Sequence, residues 1–223
     1  MKITEFENLK KFKFDFEDTD TNAVRIRELN DIAKYLTPGL NLEFGVFNGV
    51  TISTLAKARP DLEFHGFDSF EGLPEDWNMG EKNVNKKAFD RQGNLPEVPD
   101  NVKLYKGWFN DTLPDFITEC NRLTNTRISF LHVDCDIYSS SIYVLEQLNN
   151  FIKPGTIIRF DELCCWRYVF KEASPSGKAN RVYYTTWKDH EWKALNEWLE
   201  KYDRCVIPVS RNWFQGATLV VTK

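Results

Sequence analysis

Between residues 40 and 162 the chain repeats one pattern: a short apolar run, a turn rich in glycine or acidic residues, then apolar residues at helical spacing. The apolar runs are "LNLEFG" (40–45), "LEFHGFD" (62–68), "NVKLYKG" (101–107), "RISFLHVD" (127–134) and "TIIRFDE" (156–162). Runs of this length bounded by turn residues predict strands, and helices are predicted at "GVTISTLAKA", near "LPDFITECNRL" and at "SSIYVLEQLNNFI". Strands that alternate with helices restrict the fold to α/β, a mainly parallel sheet with helices on both faces. Ligands of such sheets bind at the carboxyl ends of the strands, so each strand's exit is where function is sought. A helix over 22–36, ended by Pro38-Gly39, precedes this core, and a helix at "DHEWKALNEWLEKY" with strands "RCVIPVS" and "GATLVVTK" follows it. The expected organisation is a single domain over 1–223. Residues 1–39 form a helical cap, 40–162 the core, and 163–223 a loop with the last strands.

Composition narrows the classes. A 42% hydrophobic fraction over 223 residues supports one sizeable core, and a net charge of −4 supplies no basic field for nucleic acid or acidic lipid. No apolar run approaches the roughly 18 residues of a membrane helix, and the N-terminus lacks a signal-peptide core. Five cysteines without C-x-x-C spacing predict reduced thiols and a cytoplasmic location, with Cys164 and Cys165 as small buried hydrophobes. The basic run "KKFK" (10–13) is expected to be a solvated face.

After the first strand comes Glu43, then Gly45-Val-Phe47-Asn48-Gly49-Val50-Thr51. Glycines here let the backbone turn tightly and approach a ligand at a helix N-terminus. A dinucleotide fingerprint needs glycine where Phe47 and Val50 stand, which opposes a pyrophosphate and with it a NAD-type oxidoreductase. Asp68 ends the second strand 25 residues after Glu43, where an acid accepts from ribose hydroxyls. Turn and acid together favour a nucleoside ligand whose other end is an amino acid.

The fourth and fifth strands end in Asp134 and in Asp161-Glu162, separated by one helix. Three carboxylates at one sheet edge disfavour shared ionisation, and a hard divalent cation such as Mg²⁺ resolves the conflict. Helix capping by Asp134, Asp136, Ser139 or Ser140 accounts for single acids but not for their convergence. His132 and Arg159 each stand two residues before an acidic exit and so share its side of the strand. An Arg inside an apolar strand needs a partner, and Arg159 is expected to support the acids from beneath, with a surface-reaching side chain as the alternative.

"LEFGVFNGVTISTLA", "FHGFDSFEGLPEDW", "LYKGWFNDTLPDF", "LHVDCDIYSSS" and "GTIIRFDE", in this order, resemble a class I S-adenosylmethionine-dependent methyltransferase. In detail the chain is similar to the macrocin O-methyltransferase group, whose metal-dependent enzymes methylate sugar hydroxyls of natural products. The resemblance runs from about residue 40 to 162. It implies a Rossmann-like, doubly wound, seven-stranded sheet with the last strand antiparallel. It implies Gly45, Phe47 and Gly49 at the methionine end of the cofactor, Asp68 at its ribose, and Trp108 and Phe109 near its adenine. Glu43, Asn48, Thr51 and Ser69 complete that expected set. Asp134, Asp161 and Glu162 match the group's metal pattern, although Glu162 departs from its paired aspartates.

An alcohol becomes a nucleophile when a cation lowers its pKa and a carboxylate takes its proton. The resemblance makes Asp134 both ligand and base, with Asp136 second, mainly shaping the turn. Aromatics of the long segment 163–187 (Trp166, Tyr168, Tyr183, Tyr184 and Trp187), with Tyr138 and His190, are candidates to meet a small-molecule hydroxyl acceptor, and segment 71–100 exceeds ordinary loop length. A noncatalytic nucleoside-binding module and an oxidoreductase stay as alternatives. So does a metal-independent methyltransferase, for which His190 is the free base. A homo-oligomer stays open.

Overall fold

The computed structural model describes residues 1–6, 21–171, 184–212 and 214–223. The "KKFK" run and Tyr183 lie outside the described residues. In chain order the strands are β1 (Leu40–Phe44), β2 (Phe64–Asp68), β3 (Trp77–Asn78), β4 (Asn83–Val84), β5 (Val102–Lys106), β6 (Ile128–Val133), β7 (Ile157–Phe160), β8 (Val206–Arg211) and β9 (Ala217–Val221). The helices are α1 (Thr21–Ala33), α2 (Val50–Ala58), α3 (Phe109–Cys120), α4 (Tyr138–Leu148), α5 (Trp166–Phe170) and α6 (Glu191–Lys201).

Seven strands make one sheet in the order β5-β2-β1-β6-β7-β9-β8, and β3 and β4 form a separate antiparallel ribbon inside segment 71–100. β5, β2, β1, β6 and β7 are parallel, whereas β9 runs antiparallel to both of its neighbours, as expected. β6 is buried along its whole length, and "ISFLHV" is accordingly apolar apart from the buried Ser129 and His132. Successive side chains feed two cores. Leu42, Phe44, Leu131 and Val133 join Val144, Leu145 and Trp198 on one side. Phe64 and Phe130 join Leu29, Ile52 and Leu55 on the other. Edge strand β8 carries Pro208 beside a break in register, a position where a missing N–H is tolerated.

Three helices differ in their bounds from the sequence reading, α4 among them, which spans Tyr138–Leu148 where "SSIYVLEQLNNFI" placed a helix over 140–152. α3 begins at Phe109, ahead of Pro114, with Trp108 as its extended N-cap residue. Pro114 lies in the second turn of the helix, where its missing N–H costs one intrahelical bond that the remaining turns and the buried face outweigh. α1 ends at Ala33, and single turns carry the chain through Leu36 to the Pro38-Gly39 break.

Strand order reverses at β1 and β6. β1 leads outward to β2 and β5, while β6 leads the other way to β7. The crevice at the carboxyl ends of such a pair is where an open α/β sheet binds its ligand. Both candidate motifs leave the sheet at this point.

Candidate active site

Gly45 and Asp134 leave β1 and β6 side by side. A Cβ built on Gly45, whose φ is 91°, would lie 1.8 Å from the carbonyl oxygen of Asp134. Only a glycine permits this approach, so the two exits share one wall. The turn that follows is held from the neighbouring strand: Asp68 Oδ2 accepts from the backbone N–H groups of Val46 and Phe47, each at 2.8 Å. Asp68 Oδ1 accepts from Phe70 N–H at 2.6 Å. Phe47 sits in the left-handed region with φ 45°, a strained conformation for a bulky residue and a pointer to function. Its ring meets Phe89 edge-on at 5.5 Å between centroids, and Asn48 Oδ1 accepts from the Arg91 guanidinium. Gly49, with φ 72°, opens α2 beneath Pro96 and Val98.

A cavity of about 890 Å³ lies over these exits. The turn residues Gly45, Phe47, Asn48 and Thr51 line one end, with Asp68 and Ser69. Trp108 and Phe109 stand on the same wall, Phe109 edge-on to Phe44. Asp134, Asp136 and Glu162 line the other end, with Arg25 among them.

Below the rim a polar row crosses the sheet, with Glu43 opposite His132 and His132 opposite Arg159. Glu43 is fully buried and receives Thr51 Oγ at 2.7 Å and His132 Nδ1 at 2.9 Å. It therefore supports the turn from behind and is not on the cavity wall. Arg159, 1% exposed, bonds Glu28 on α1 at 2.9 Å and the Phe160 carbonyl at 2.7 Å. Its Nη2 lies 3.1 Å from Asp161 Oδ1, so the buried supporting position is realised and the surface-reaching one is not.

The acids divide according to their partners. Asp161 is buried behind the rim, hydrogen-bonded by Arg25 and faced by Arg159, with His132 Nε2 at 3.9 Å. Burial opposes its charge, but the two guanidiniums hold its carboxyl well below the usual range. Asp134 is pushed up to about 7 by burial and then by the charge of Asp161, with Arg25 and His132 pulling the other way. Burial and neighbouring carboxylates also raise Asp136, Glu162 and Glu191. His132 rises to about 9, because the Asp161 and Glu43 carboxylates outweigh its burial.

Oxygen atoms of Asp134, Asp136 and Glu162 lie within 4.8 Å of one another, and so do ligand atoms of His132, Asp134 and Asp161. Among the described residues Glu162 Oε2 is buried without a hydrogen-bond partner, whereas Asp161 Oδ1 faces the Arg159 guanidinium. An all-oxygen group with an orphaned carboxylate atom fits a hard cation. The expected trio is thus split over two adjoining sets that share Asp134. Asp136, expected to shape the turn, does so with φ 63° and also turns toward the cavity.

None of the six described acceptor candidates, Tyr138, Trp166, Tyr168, Tyr184, Trp187 and His190, lines this cavity. Trp166 is fully buried against Phe6 and Phe170 and donates its Nε1–H to the Gly216 carbonyl at 3.0 Å, because α5 folds its apolar face inward. Tyr138 points away along α4 and donates to Glu197, with Lys193 over its ring. His190, read as a free base, sets Nε2 2.8 Å from the Asn78 carbonyl. Tyr184 and Trp187 are buried, and Tyr168 is exposed. Cys164 and Cys165 are buried free thiols, as expected.

Arg25, Glu28, Glu191 and Trp77 were not singled out from the sequence. Arg25 and Glu28 fall on the stripe of α1 that carries Leu29 and Ile32, and charge on an apolar stripe was the available signal. Glu191 is fully buried and accepts from Glu162 N–H at 3.1 Å. Trp77, from the ribbon, lines the cavity and meets the Tyr184 ring edge-on at 5.4 Å between centroids.

Fold and cavity together define an α/β ligand-binding domain with a glycine turn at one end of its site and a carboxylate cluster at the other. The chain belongs to a family of methyltransferase domains, whose pattern matches residues 42–163, just over half of the chain. A curated relative is the 8-demethyl-8-(2,3-dimethoxy-α-L-rhamnosyl)-tetracenomycin-C 4'-O-methyltransferase of Streptomyces olivaceus, 29% identical over 151 residues. That match covers 56% of this chain and 53% of the relative, so the chain spans about half the length of that enzyme. Among solved structures, CalS11, a calicheamicin methyltransferase, matches with TM-score 0.58 at 21% identity over 90% of this chain and 77% of its own. The O-methyltransferase NovP matches with TM-score 0.52 at 20% identity over 89% and 80%. These two likenesses establish the shared fold. Among the described residues, no helix is long and apolar enough to cross a membrane.

Proposed function

We propose that the chain is an S-adenosylmethionine-dependent O-methyltransferase that acts on a hydroxyl of a sugar or glycosylated small molecule, assisted by a divalent cation such as Mg²⁺. The observation that carries this proposal is one cavity whose ends are a strained glycine turn and a cluster of buried carboxylates. The name of the curated relative, a rhamnosyl O-methyltransferase, supports the acceptor class.

In this proposal Gly45, Phe47, Asn48 and Thr51 receive the amino-acid end of the cofactor. Asp68 and Ser69 meet its ribose, and Trp108 and Phe109 flank its base. Both Asp68 oxygens already accept backbone N–H groups, Oδ2 from the turn and Oδ1 from Phe70, yet each carboxylate oxygen has room for a further donor. S-adenosylmethionine, when bound, supplies a methyl group made electrophilic by a sulfonium. Asp134, Asp136 and Glu162 are the cavity-facing residues that hold the cation, with Asp161 behind them. The cation supplies Lewis acidity that lowers the pKa of an acceptor hydroxyl. Asp134 lies on the cavity wall among these acids and is the carboxylate placed to receive the hydroxyl proton; its rise to about 7 belongs to the ion-free edge, and a bound cation would draw it back down.

Calorimetry with S-adenosylmethionine, S-adenosylhomocysteine and NAD, each with and without Mg²⁺, tests the assignment. Binding of both adenosyl ligands without NAD binding is expected, and failure of both adenosyl ligands overturns it. Adenosyl binding together with no heat from Mg²⁺ removes the cation and leaves the transferase.

A further inference from the structure

The acidic edge already contains a cation. Arg25, from α1, hydrogen-bonds Asp161 Oδ2 and places Nη2 3.9 Å from Glu162 Oε1, while lining the cavity with Asp134 and Asp136. It thus holds Asp161, which backs the cavity-facing acids, and comes within ion-pair range of Glu162, one of them. The other guanidinium of the edge is fixed differently. Arg159 is 1% exposed and tied to Glu28 and to a main-chain carbonyl, so it cannot leave without unpairing buried groups. Arg25 is 30% exposed at its side chain and reaches Asp161 across the cavity rim. One guanidinium is open to solvent on one side and the other is enclosed.

We propose that Arg25 is the resident cation of this edge and competes with the divalent ion for Asp161 and Glu162, so that ion loading requires its guanidinium to withdraw. The proposal rests on the acidic edge being a cation site and adds a competitor built into the chain. A divalent ion and a guanidinium cannot share the same carboxylates at these separations without strong mutual repulsion. The carboxylates gain either a planar monovalent donor or a small ion that draws several oxygens inward. α1 also packs on α2, the helix that opens from the glycine turn, so withdrawal occurs at the side chain while the helix stays docked.

Mn²⁺ titration of the full chain, followed by the electron paramagnetic resonance of the free ion, tests the idea with Mn²⁺ alone as probe. Arg25→Met is expected to bind Mn²⁺ about tenfold tighter or better than wild type, and Arg25→Lys to stay close to wild type. Asp161→Asn placed on Arg25→Met is expected to cancel the gain. Should Arg25→Met fail to fold, Arg25→Gln keeps hydrogen bonding without the charge and carries the same expectation. Equal or weaker Mn²⁺ affinity in the folded variant overturns the proposal, and so does an absence of Mn²⁺ binding to both proteins. S-adenosylhomocysteine calorimetry on the same samples separates the two assignments. Retained adenosyl binding with no Mn²⁺ effect sinks the competitor alone, whereas a Mn²⁺ gain without adenosyl binding sinks the transferase and keeps the competitor.

Discussion

His65 lies in β2 with its ring between Phe116 and Tyr105, Nδ1 3.1 Å from the Tyr105 hydroxyl and Nε2 3.2 Å from Glu63. Burial lowers its pKa from 6.5 to about 4, with Glu63 acting weakly against the shift. Above pH 6.5 the ring is neutral in folded and unfolded chains alike. As pH falls from 6.5 to 4 the unfolded chain takes a proton that the folded one refuses, so stability drops across this window and levels off below it. The shift corresponds to about 3 kcal/mol at most. Chemical unfolding at several pH values should show a shallower loss between pH 6.5 and 4 in His65→Gln, and an unchanged slope excludes this source. At this scale the sequence was readable where a residue must meet a local condition. Gly45 and Asp68 stand where a close approach and a backbone acceptor are needed. It was not readable for Trp166, whose aromatic ring suits a ligand and a core equally well until packing decides.

The segment 71–100 illustrates what an element adds. Its length marked it as functional, and the structure shows it folding back on the glycine turn, where Phe89 meets Phe47 and Arg91 meets Asn48. Backbone N–H groups of Arg91 and Gly93 both donate to the Phe70 carbonyl, at 3.0 and 2.8 Å, and pin the segment in place. Removing the Phe89 ring should cost about 0.5–1.5 kcal/mol of aromatic contact. Phe89→Ala should therefore weaken S-adenosylhomocysteine binding by about two- to thirteenfold at most in calorimetry, and an unchanged dissociation constant would separate this segment from the proposed cofactor end. Alternation of strand and helix was legible because each unit obeys its own period. The ribbon of β3 and β4 was not, since two-residue strands leave no periodicity to count. The start of α3 was obscured by Pro114 for a similar local reason.

For the molecule as a whole, charge balance across distant segments matters most. Asp134, Asp136, Asp161, Glu162 and Glu191 gather at one edge, and their compensation comes from β6, β7 and α1. A divalent ion bound only by the folded chain should stabilise it by about 2.7 kcal/mol at 100 times its dissociation constant. For a chain of this size that corresponds to a rise in Tm of roughly 5–10 °C. Scanning calorimetry with Mg²⁺ against EDTA should show the rise in wild type and its loss in Glu162→Gln, and a Tm indifferent to Mg²⁺ in wild type contradicts a cation at this edge. The acids were legible because strand order alone brings their exits together. Arg25 was not, because it reaches Asp161 across 136 residues of chain and no local pattern encodes that meeting.

Asp68 holds the glycine turn through two N–H groups of its backbone before any ligand arrives. The turn therefore surrenders little conformational entropy when it is filled, and the strain at Phe47 is met within folding and not within binding. Ligand recognition at this end becomes a matter of shape fixed in advance, so that changes to Asp68 act on the unliganded geometry as much as on any contact made.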